Sequence, residues 1–248
     1  MSVLILNGSP QGARGNTGAV LEPFRAGLKA AGAVVEEVAV SALQVRPCRG
    51  CFACWRGGGQ CPQDEDDMGW LRPKLAASET LVLATPLYVD HLPGPVKTVF
   101  DRTIPLAAPR LELVAGHCRH PRRRAEEAVR RVALLSVCGF YERDNFDVLV
   151  AWTQALCRNL QCDFAGALLR PHAYAFTSLP RLAPPKARVW KALQQAGHEL
   201  ATTGRISATT QDAVAAELLG RELYLRLANR SWRSAPAPTE HGKEETTP

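Results

Sequence analysis

Short runs of β-branched and leucine side chains alternate with longer stretches of helical periodicity, and this alternation constrains the fold more than any other feature of the chain. Strands that are apolar at nearly every position, rather than at every second one, are buried on both faces. That is the mark of a parallel sheet covered by helices on either side. The runs fall at residues 2–6, 34–40, 80–85, 131–137 and 164–169. They predict an α/β fold, a doubly wound five-stranded parallel sheet of order 2-1-3-4-5, spanning residues 1–205. There is no internal repeat.

Helices are read from apolar residues at i, i+3 and i+4. Val20, Leu21, Phe24 and Leu28 share one face of a helix that stops at Gly32. Pro23 inside it predicts a kink or a late start, because an interior proline costs about 3 kcal/mol. Pro93-Gly94-Pro95 opens a helix reaching residue 102, and Phe146, Leu149, Val150, Thr153 and Leu156 mark another over 144–160. Two more are expected over 186–203 and 210–229. The second is apolar almost all round (Val214, Leu218, Leu219, Leu223, Leu225, Leu227). Residues 206–230 are therefore expected to form a C-terminal helix buried at a subunit interface, in a homodimer or homotetramer. From 231 to 248 Pro, Thr, Glu and Gly dominate without periodicity, which predicts a disordered tail.

A chain of 248 residues buries roughly 70–75% of its unfolded surface and needs no disulfide staples. Its longest apolar stretches stop far short of the ~18–20 residues of a membrane span, so no membrane association is expected. No basic leader precedes the first strand, and a cytoplasmic location follows as the expectation. Thiols stay reduced there, so the 8 cysteines read as metal ligands, redox groups or core residues. The net charge of +6 is unevenly spread: Arg119, Arg122, Arg123, Arg124, Arg130 and Arg131 crowd one segment. That segment reads as a solvated loop, or as a positive rim for an acidic partner or a phosphorylated cofactor. It has no interleaved aromatics, and no nucleic-acid partner is expected.

Two local motifs carry the chemistry. The first strand opens into Gly8-Ser9-Pro10-Gln11-Gly12-Ala13-Arg14-Gly15-Asn16-Thr17. The glycine spacing is not the dinucleotide fingerprint, and no Gly-Lys-Ser/Thr closes a nucleoside-triphosphatase loop. Backbone N–H groups at a helix N-terminus, with the Ser9 and Thr17 hydroxyls and Arg14 nearby, still make an anion site. The plain reading is a Gly-rich turn with Asn16 as helix cap.

The second motif is Cys48-Arg49-Gly50-Cys51-Phe52-Ala53-Cys54-Trp55, closed by Cys61-Pro62. Two successive x2 gaps suit three corners of a cubane. The Gly57-Gly58-Gly59 run lets the chain loop back with a fourth thiolate, whose negative charge Arg49 and Arg56 could offset. Zinc, or a metal-free loop of free or redox-active thiols, are the other readings. Cys118, between His117 and His120, sits in a run too tightly packed for an ordinary ligand set. Cys157 and Cys162 flank a helix end and read as small core residues. No Ser/His/Asp or paired-carboxylate motif is present, which fits a redox protein whose cofactor does the chemistry.

The strand followed by Gly8-Ser9-Pro10 and Gly15-Asn16-Thr17, with Thr85-Pro86-Leu87-Tyr88 and Pro93-Gly94-Pro95-Val96-Lys97-Thr98-Val99-Phe100-Asp101-Arg102 further on, resembles the flavodoxin-like NAD(P)H-dependent FMN reductase family over about residues 2–170. The resemblance implies an FMN whose phosphate sits on Ser9, Gln11, Asn16 and Thr17. Its ring would lie against Pro86, Leu87 and Tyr88 and against the loop at Cys138, Gly139 and Phe140. The family usually has Arg or Lys at position 11, so Gln11 implies a weakened or rearranged phosphate contact. The cysteine loop is similar to that of the iron–sulfur flavoprotein branch, which implies a [4Fe–4S] cluster on Cys48, Cys51, Cys54 and Cys61. Asp66-Asp67-Met68 and Asp101-Arg102 also fit the pattern and read as helix caps and as structural. What the resemblance implies is an FMN-dependent oxidoreductase or electron-transfer flavoprotein, with NAD(P)H as donor and a small molecule or protein carrier as acceptor. The alternatives are a cluster-free NAD(P)H-dependent quinone or FMN reductase, and a non-catalytic flavin-binding carrier or scaffold.

Overall fold

Alternate side chains of a strand leave opposite faces of its sheet, and here both faces are apolar. The computed structural model describes residues 1–124, 129–180 and 183–233, with the backbone alone for 231–233. Its elements begin β1 (Ser2–Asn7), α1 (Asn16–Ala30), β2 (Val34–Ala39), α2 (Ala53–Arg56), α3 (Met68–Ala77), β3 (Thr80–Pro86) and α4 (Gly94–Asp101). They continue β4 (Glu112–Val114), β5 (His117–Arg119), β6 (Arg131–Val137), α5 (Asp147–Leu160) and β7 (Asp163–Arg170). The chain closes with α6 (Ala173–Ser178), α7 (Pro184–Thr203), α8 (Ala208–Ala215) and α9 (Arg221–Arg233).

The sheet is parallel throughout, in the order β2-β1-β3-β6-β7. With the short β4–β5 hairpin set apart, this is the doubly wound order expected. Val3, Ile5, Val82, Ala84, Ala133 and Leu135 face one core with α1, α7 and α8. Leu4, Leu6, Leu81, Leu83, Val132 and Leu134 face the other with α3, α4 and α5. Helix α1 runs unbroken through Pro23. It crosses α7 so closely that a Cβ on Gly27 would fall 1.9 Å from the Gln194 carbonyl oxygen, and one on Gly197 2.1 Å from that of Phe24.

The structure corrects three expectations. The helix expected over 210–229 is two helices, α8 and α9, parted by 216–220. The break has a cause: Arg170, wholly buried at the end of β7, takes the terminal carbonyls of α8 (Nη1 to Val214 O, 2.7 Å; Nη2 to Ala215 O, 3.2 Å). Val214, Leu218 and Tyr224 then join the chain's own core, while Leu223, Leu225 and Leu227 stay about half exposed. Second, the arginine-rich segment is not merely solvated. Arg122 bonds the Leu160 and Val129 carbonyls (both 2.9 Å), Arg123 that of Pro105 (3.1 Å), and Arg131 pairs with Glu79 (2.9 Å). It precedes β6, and these bonds tie it to the neighbouring loops. Third, residues 112–119, for which no strand was expected, form the hairpin that leads into this segment, and its turn residues Ala115 and Gly116 both have positive φ (47° and 79°). The expected tail lies, beyond Arg233, outside the described residues. Among the described residues no helix is long and apolar enough to cross a membrane.

Candidate functional site: the carboxyl edge of the sheet and the cysteine pocket

The phosphate turn leaves β1 at Asn7, a fully buried side chain whose Nδ2 donates to Glu37 (2.9 Å) and whose Oδ1 accepts from the Ser9 amide (3.1 Å). Ser9 Oγ in turn accepts from the Gln11 amide (3.3 Å), and the Gly8 amide ties the turn to β3 through the Ala84 carbonyl (2.7 Å). Residues 12–14 form one 3₁₀ turn before α1. The helix cap is Gly15, not Asn16; Asn16 begins the helix, and its Oδ1 accepts from Thr177 of α6 (2.9 Å). Ser9 and Thr17 are buried, while Gln11 is exposed and neutral. The first N–H groups of α1 have no intrahelical acceptors and carry the positive end of its dipole. A Cβ on Gly15 would stand 2.8 Å from Ser9 Oγ and 3.2 Å from Gln11 Cβ. The absence of a side chain keeps this cradle open, and its hydroxyls and amides suit a terminal phosphate. The donor set therefore fits FMN without a cation at position 11.

Beside the turn, Tyr88 and His91 pair through two backbone hydrogen bonds (2.9 and 3.0 Å) around Val89 and Asp90, both at positive φ. Leu87 is tied to β6 through the Val137 carbonyl (2.9 Å). Tyr88 is 50% and Phe140 61% exposed, so both aromatics are free to flank a planar ring. Cys138 differs from Gly139 and Phe140. Its side chain packs into the core, burial pushes its thiol up to about 11, and its backbone bonds Arg170 O and Ala173 N. Residues the sequence did not flag brace this loop. A Cβ on Gly139 would fall 2.8 Å from the Tyr174 ring, and Tyr224 of α9 donates to the Gly139 carbonyl. His172 stacks on Tyr141 at 4.8 Å. Burial first, then the neighbouring Arg170, holds the His172 imidazole down to about 4. Its Nε2 accepts from Arg170 (2.9 Å) and from the Leu218 amide (3.3 Å), which places the proton on Nδ1.

Cys48, Cys51, Cys54 and Cys61 line one pocket, walled by Arg49, Pro62, Gln63, Arg102, Ile104 and Pro105. Phe52 (φ 51°) and the Gly58-Gly59 pair (67° and 100°) make the reversals that bring them there. Cys54 is buried, Cys61 half-buried, Cys48 and Cys51 exposed. Burial, and then the neighbouring Cys61 and Cys51, raise the Cys54 thiol above its usual range, as expected where thiols crowd without a cation between them. Arg102 fixes both ends of the loop. It donates to Asp66 (2.6 and 3.1 Å), to the Arg46 carbonyl (2.8 Å) and to the Gln63 carbonyl (3.1 Å). Asp64 accepts from the Cys61 amide (3.0 Å) and pairs with Arg72. Asp66 accepts from the Met68 amide at the start of α3, as a cap would, whereas Asp67 makes no side-chain bond to the helix backbone and accepts from the Trp70 indole N–H instead; the two also accept from the Arg46 and Gln44 amides. From the hairpin arm, the His120 ring packs at a tilt on Trp55 with ring centres 4.6 Å apart, and Cys118 is exposed.

Among the described residues no three His, Cys, Asp or Glu side chains stand close enough for one metal ion. Arg102 Nε, in the pocket wall, is buried and has no partner among the described residues. A sulfur-bearing anion would supply one.

A doubly wound parallel sheet with an anion-binding turn after its first strand defines a flavodoxin-like protein. The model of the NADPH-dependent FMN reductase family matches residues 1–140, and the chain belongs to that family. It is similar to an iron–sulfur flavoprotein of Archaeoglobus fulgidus, 32% identical over 103 residues, 42% of this chain and 49% of the relative. An iron–sulfur flavoprotein of Methanosarcina thermophila is 33% identical over 107 residues, 42% and 53% of the two chains. The chain thus spans about half the length of the curated relatives it matches. Two solved structures share its fold: an FMN-dependent NADH-azoreductase from Bacillus anthracis in complex with FMN (TM-score 0.57, 17% identity, 81% of this chain and 99% of that one) and an NAD(P)H:quinone oxidoreductase from Methanothermobacter marburgensis (TM-score 0.57, 18%, 81% and 96%).

Proposed function

We propose that this chain is an FMN-dependent oxidoreductase that takes electrons from NAD(P)H and carries a [4Fe–4S] cluster on Cys48, Cys51, Cys54 and Cys61. The observation that carries the reading is the convergence of these four thiols on one pocket whose wall contains a buried guanidinium with an unused N–H. Family membership and the open Gly15 cradle support the flavin. When bound, FMN accepts a hydride and a cluster passes single electrons, so together they join two-electron donors to one-electron acceptors.

The chain's own part is binding and orientation. Ser9, Thr17 and the first amides of α1 hold the phosphate, with Asn16 positioned by Thr177. Pro86, Leu87, Tyr88, Gly139 and Phe140 flank the ring, and Cys138 supports it from the core. The neutral His172 and the Tyr224 bond to Gly139 keep that loop fixed. Arg102 and the Asp64–Arg72 pair set the mouth of the cysteine pocket before any cofactor arrives. The acceptor is a small molecule or a protein carrier. The half-exposed Leu223, Leu225 and Leu227 of α9 support association into a homodimer or homotetramer, and a cysteine-borne cluster of this kind suits a cytoplasmic setting, where thiols stay reduced.

The cluster-free reductase is the second reading, favoured by the exposure of Cys48 and Cys51. Metal and flavin analysis of protein purified without air separates the two. About four irons per chain, with broad absorbance near 400 nm beyond the flavin bands, supports the cluster. Flavin without iron supports the second reading, and colourless protein that stays so when offered FMN overturns both.

A further inference from the structure

Helix α5 ends on Gln161 in the left-handed conformation (φ 52°). Beyond it the Cys162 amide donates to the Cys157 carbonyl (3.0 Å) and the Gln161 amide to that of Arg158 (3.3 Å). These are the two bonds of a Schellman motif, which brings the side chains of its first and last residues together, where an apolar pair ordinarily packs. In this chain both positions are cysteine. The two sulfurs lie close enough to influence each other's protonation, and both are free thiols. Cys157 is buried (3% exposed) at the floor of an open pocket of about 330 Å³, and Cys162, half-buried, stands nearer its mouth. Arg122, Arg130, Arg158, Gln161 and Asp163 complete the lining. Three guanidinium groups face the pocket against one carboxylate. Cys157 first, and then Arg122, outweigh the partial burial of Cys162 and hold its thiol below the usual range, while Cys157 stays protonated. A reachable thiol whose ionisation is favoured, beside a second thiol, is the arrangement of a redox-reactive pair.

We propose that Cys162 is a hydroperoxide-reactive modification site and that Cys157 is its resolving thiol. The Cys162 thiolate attacks one oxygen of the peroxide. An S–O bond forms, the O–O bond breaks, and the displaced hydroxide (or alkoxide) takes up the proton that Cys162 released on ionising. The sulfur is then a sulfenic acid. Cys157 loses its proton and attacks that sulfur, so that an S–S bond forms and the S–O bond breaks, with hydroxide leaving as water on taking up the Cys157 proton. In sum, two thiols and hydrogen peroxide give one disulfide and two waters, a two-electron oxidation of the pair. Cys157 and Cys162 lie apart from the 48–61 loop, so this chemistry does not depend on a cluster.

The test treats the full chain, prepared without air, with limiting hydrogen peroxide. Free thiols are then blocked, and the protein is digested with trypsin and examined by mass spectrometry. Trypsin cuts after Arg158, between the two cysteines, so a bridge leaves the peptide ending at Arg158 joined to the one beginning at Asn159, two hydrogens lighter than their sum. That species is expected to become the main form of both peptides, to vanish on reduction, and to be absent from Cys162→Ser, in which Cys157 stays unmodified. In Cys157→Ala, Cys162 is expected to persist as a sulfenic acid that dimedone traps. Wild-type protein that shows no joined peptides while its 48–61 thiols are oxidised would overturn the proposal. Oxidation of Cys157 in Cys162→Ser would overturn the assignment of roles.

Discussion

Arg102, at the C-terminal cap of α4, grips both carboxylate oxygens of Asp66 from 36 positions along the chain, and both side chains are almost fully buried (1% and 6% exposed). The pair joins the helix behind the cysteine pocket to the segment that closes it. Removing one partner leaves the other as an uncompensated buried charge, which typically costs about 3–5 kcal/mol. Arg102→Leu is expected to lose stability in that range in urea denaturation, and to lose bound iron with it.

The same pair sets an acid limit. Burial alone would raise the Asp66 carboxyl, but the bonds from Arg102 and from the Arg46 and Met68 amides outweigh it and hold it below the usual carboxylate range. A lowered carboxylate contributes stability that is complete above about pH 4 and drains away as pH falls through the folded-state value. Unfolding free energies measured from pH 5 to pH 2.5 are expected to fall more steeply for the wild type than for Asp66→Asn. Parallel slopes would mean that Asp66 carries no such load.

His172 titrates at higher pH with the same sign. Its folded-state value of about 4 lies below the ordinary histidine value of about 6.5, so the fold binds fewer protons than the unfolded chain. Its stabilising share is complete above about pH 6.5 and declines toward pH 4, by on the order of 3 kcal/mol. His172→Gln is expected to remove that decline, which chemical unfolding at pH 7 and pH 4.5 would reveal.

The phosphate cradle is tested by Ser9→Ala and Gly15→Val. A hydrogen bond to a charged group is worth about 1.5–3 kcal/mol, so Ser9→Ala is expected to weaken FMN binding by roughly 10- to 150-fold in flavin titration. Gly15→Val fills the space 2.8 Å from Ser9 Oγ and is expected to abolish retention of FMN while the iron content is unchanged.

Cys51→Ala examines the converse. Because the phosphate turn and the cysteine pocket are built from different elements, iron is expected to be lost and FMN kept, as read by metal analysis and flavin absorbance on one sample. Loss of both would make the loop a structural element rather than a cofactor socket.

The sheet was legible in the sequence because strands buried on both faces, such as Leu81-Val82-Leu83-Ala84, leave an unbroken apolar run. The phosphate turn and the cysteine loop were legible because each is contiguous. The braces were not. Tyr224, Tyr174 and Thr177 act on Gly139 and Asn16 from far along the chain, and nothing local marks a tyrosine whose partner is a distant carbonyl. The β4–β5 hairpin escaped because its strands have three residues each and its turn places Ala115, a poor left-handed residue, where Asn would have announced it. Arg170 gave a signal that the helical periodicity hid: a guanidinium closing an apolar strand must find acceptors, and it finds them by ending α8.

That last feature bears on where this molecule can be shortened. The guanidinium of Arg170 is satisfied largely by carbonyls contributed 44 and 45 residues downstream. A cut ahead of α8 would strand a cation inside the protein and release the tyrosine that steadies the 138–140 loop. The closing helices are less an appendage than a keystone, and a truncated form should come apart first at the edge where the flavin is proposed to be held.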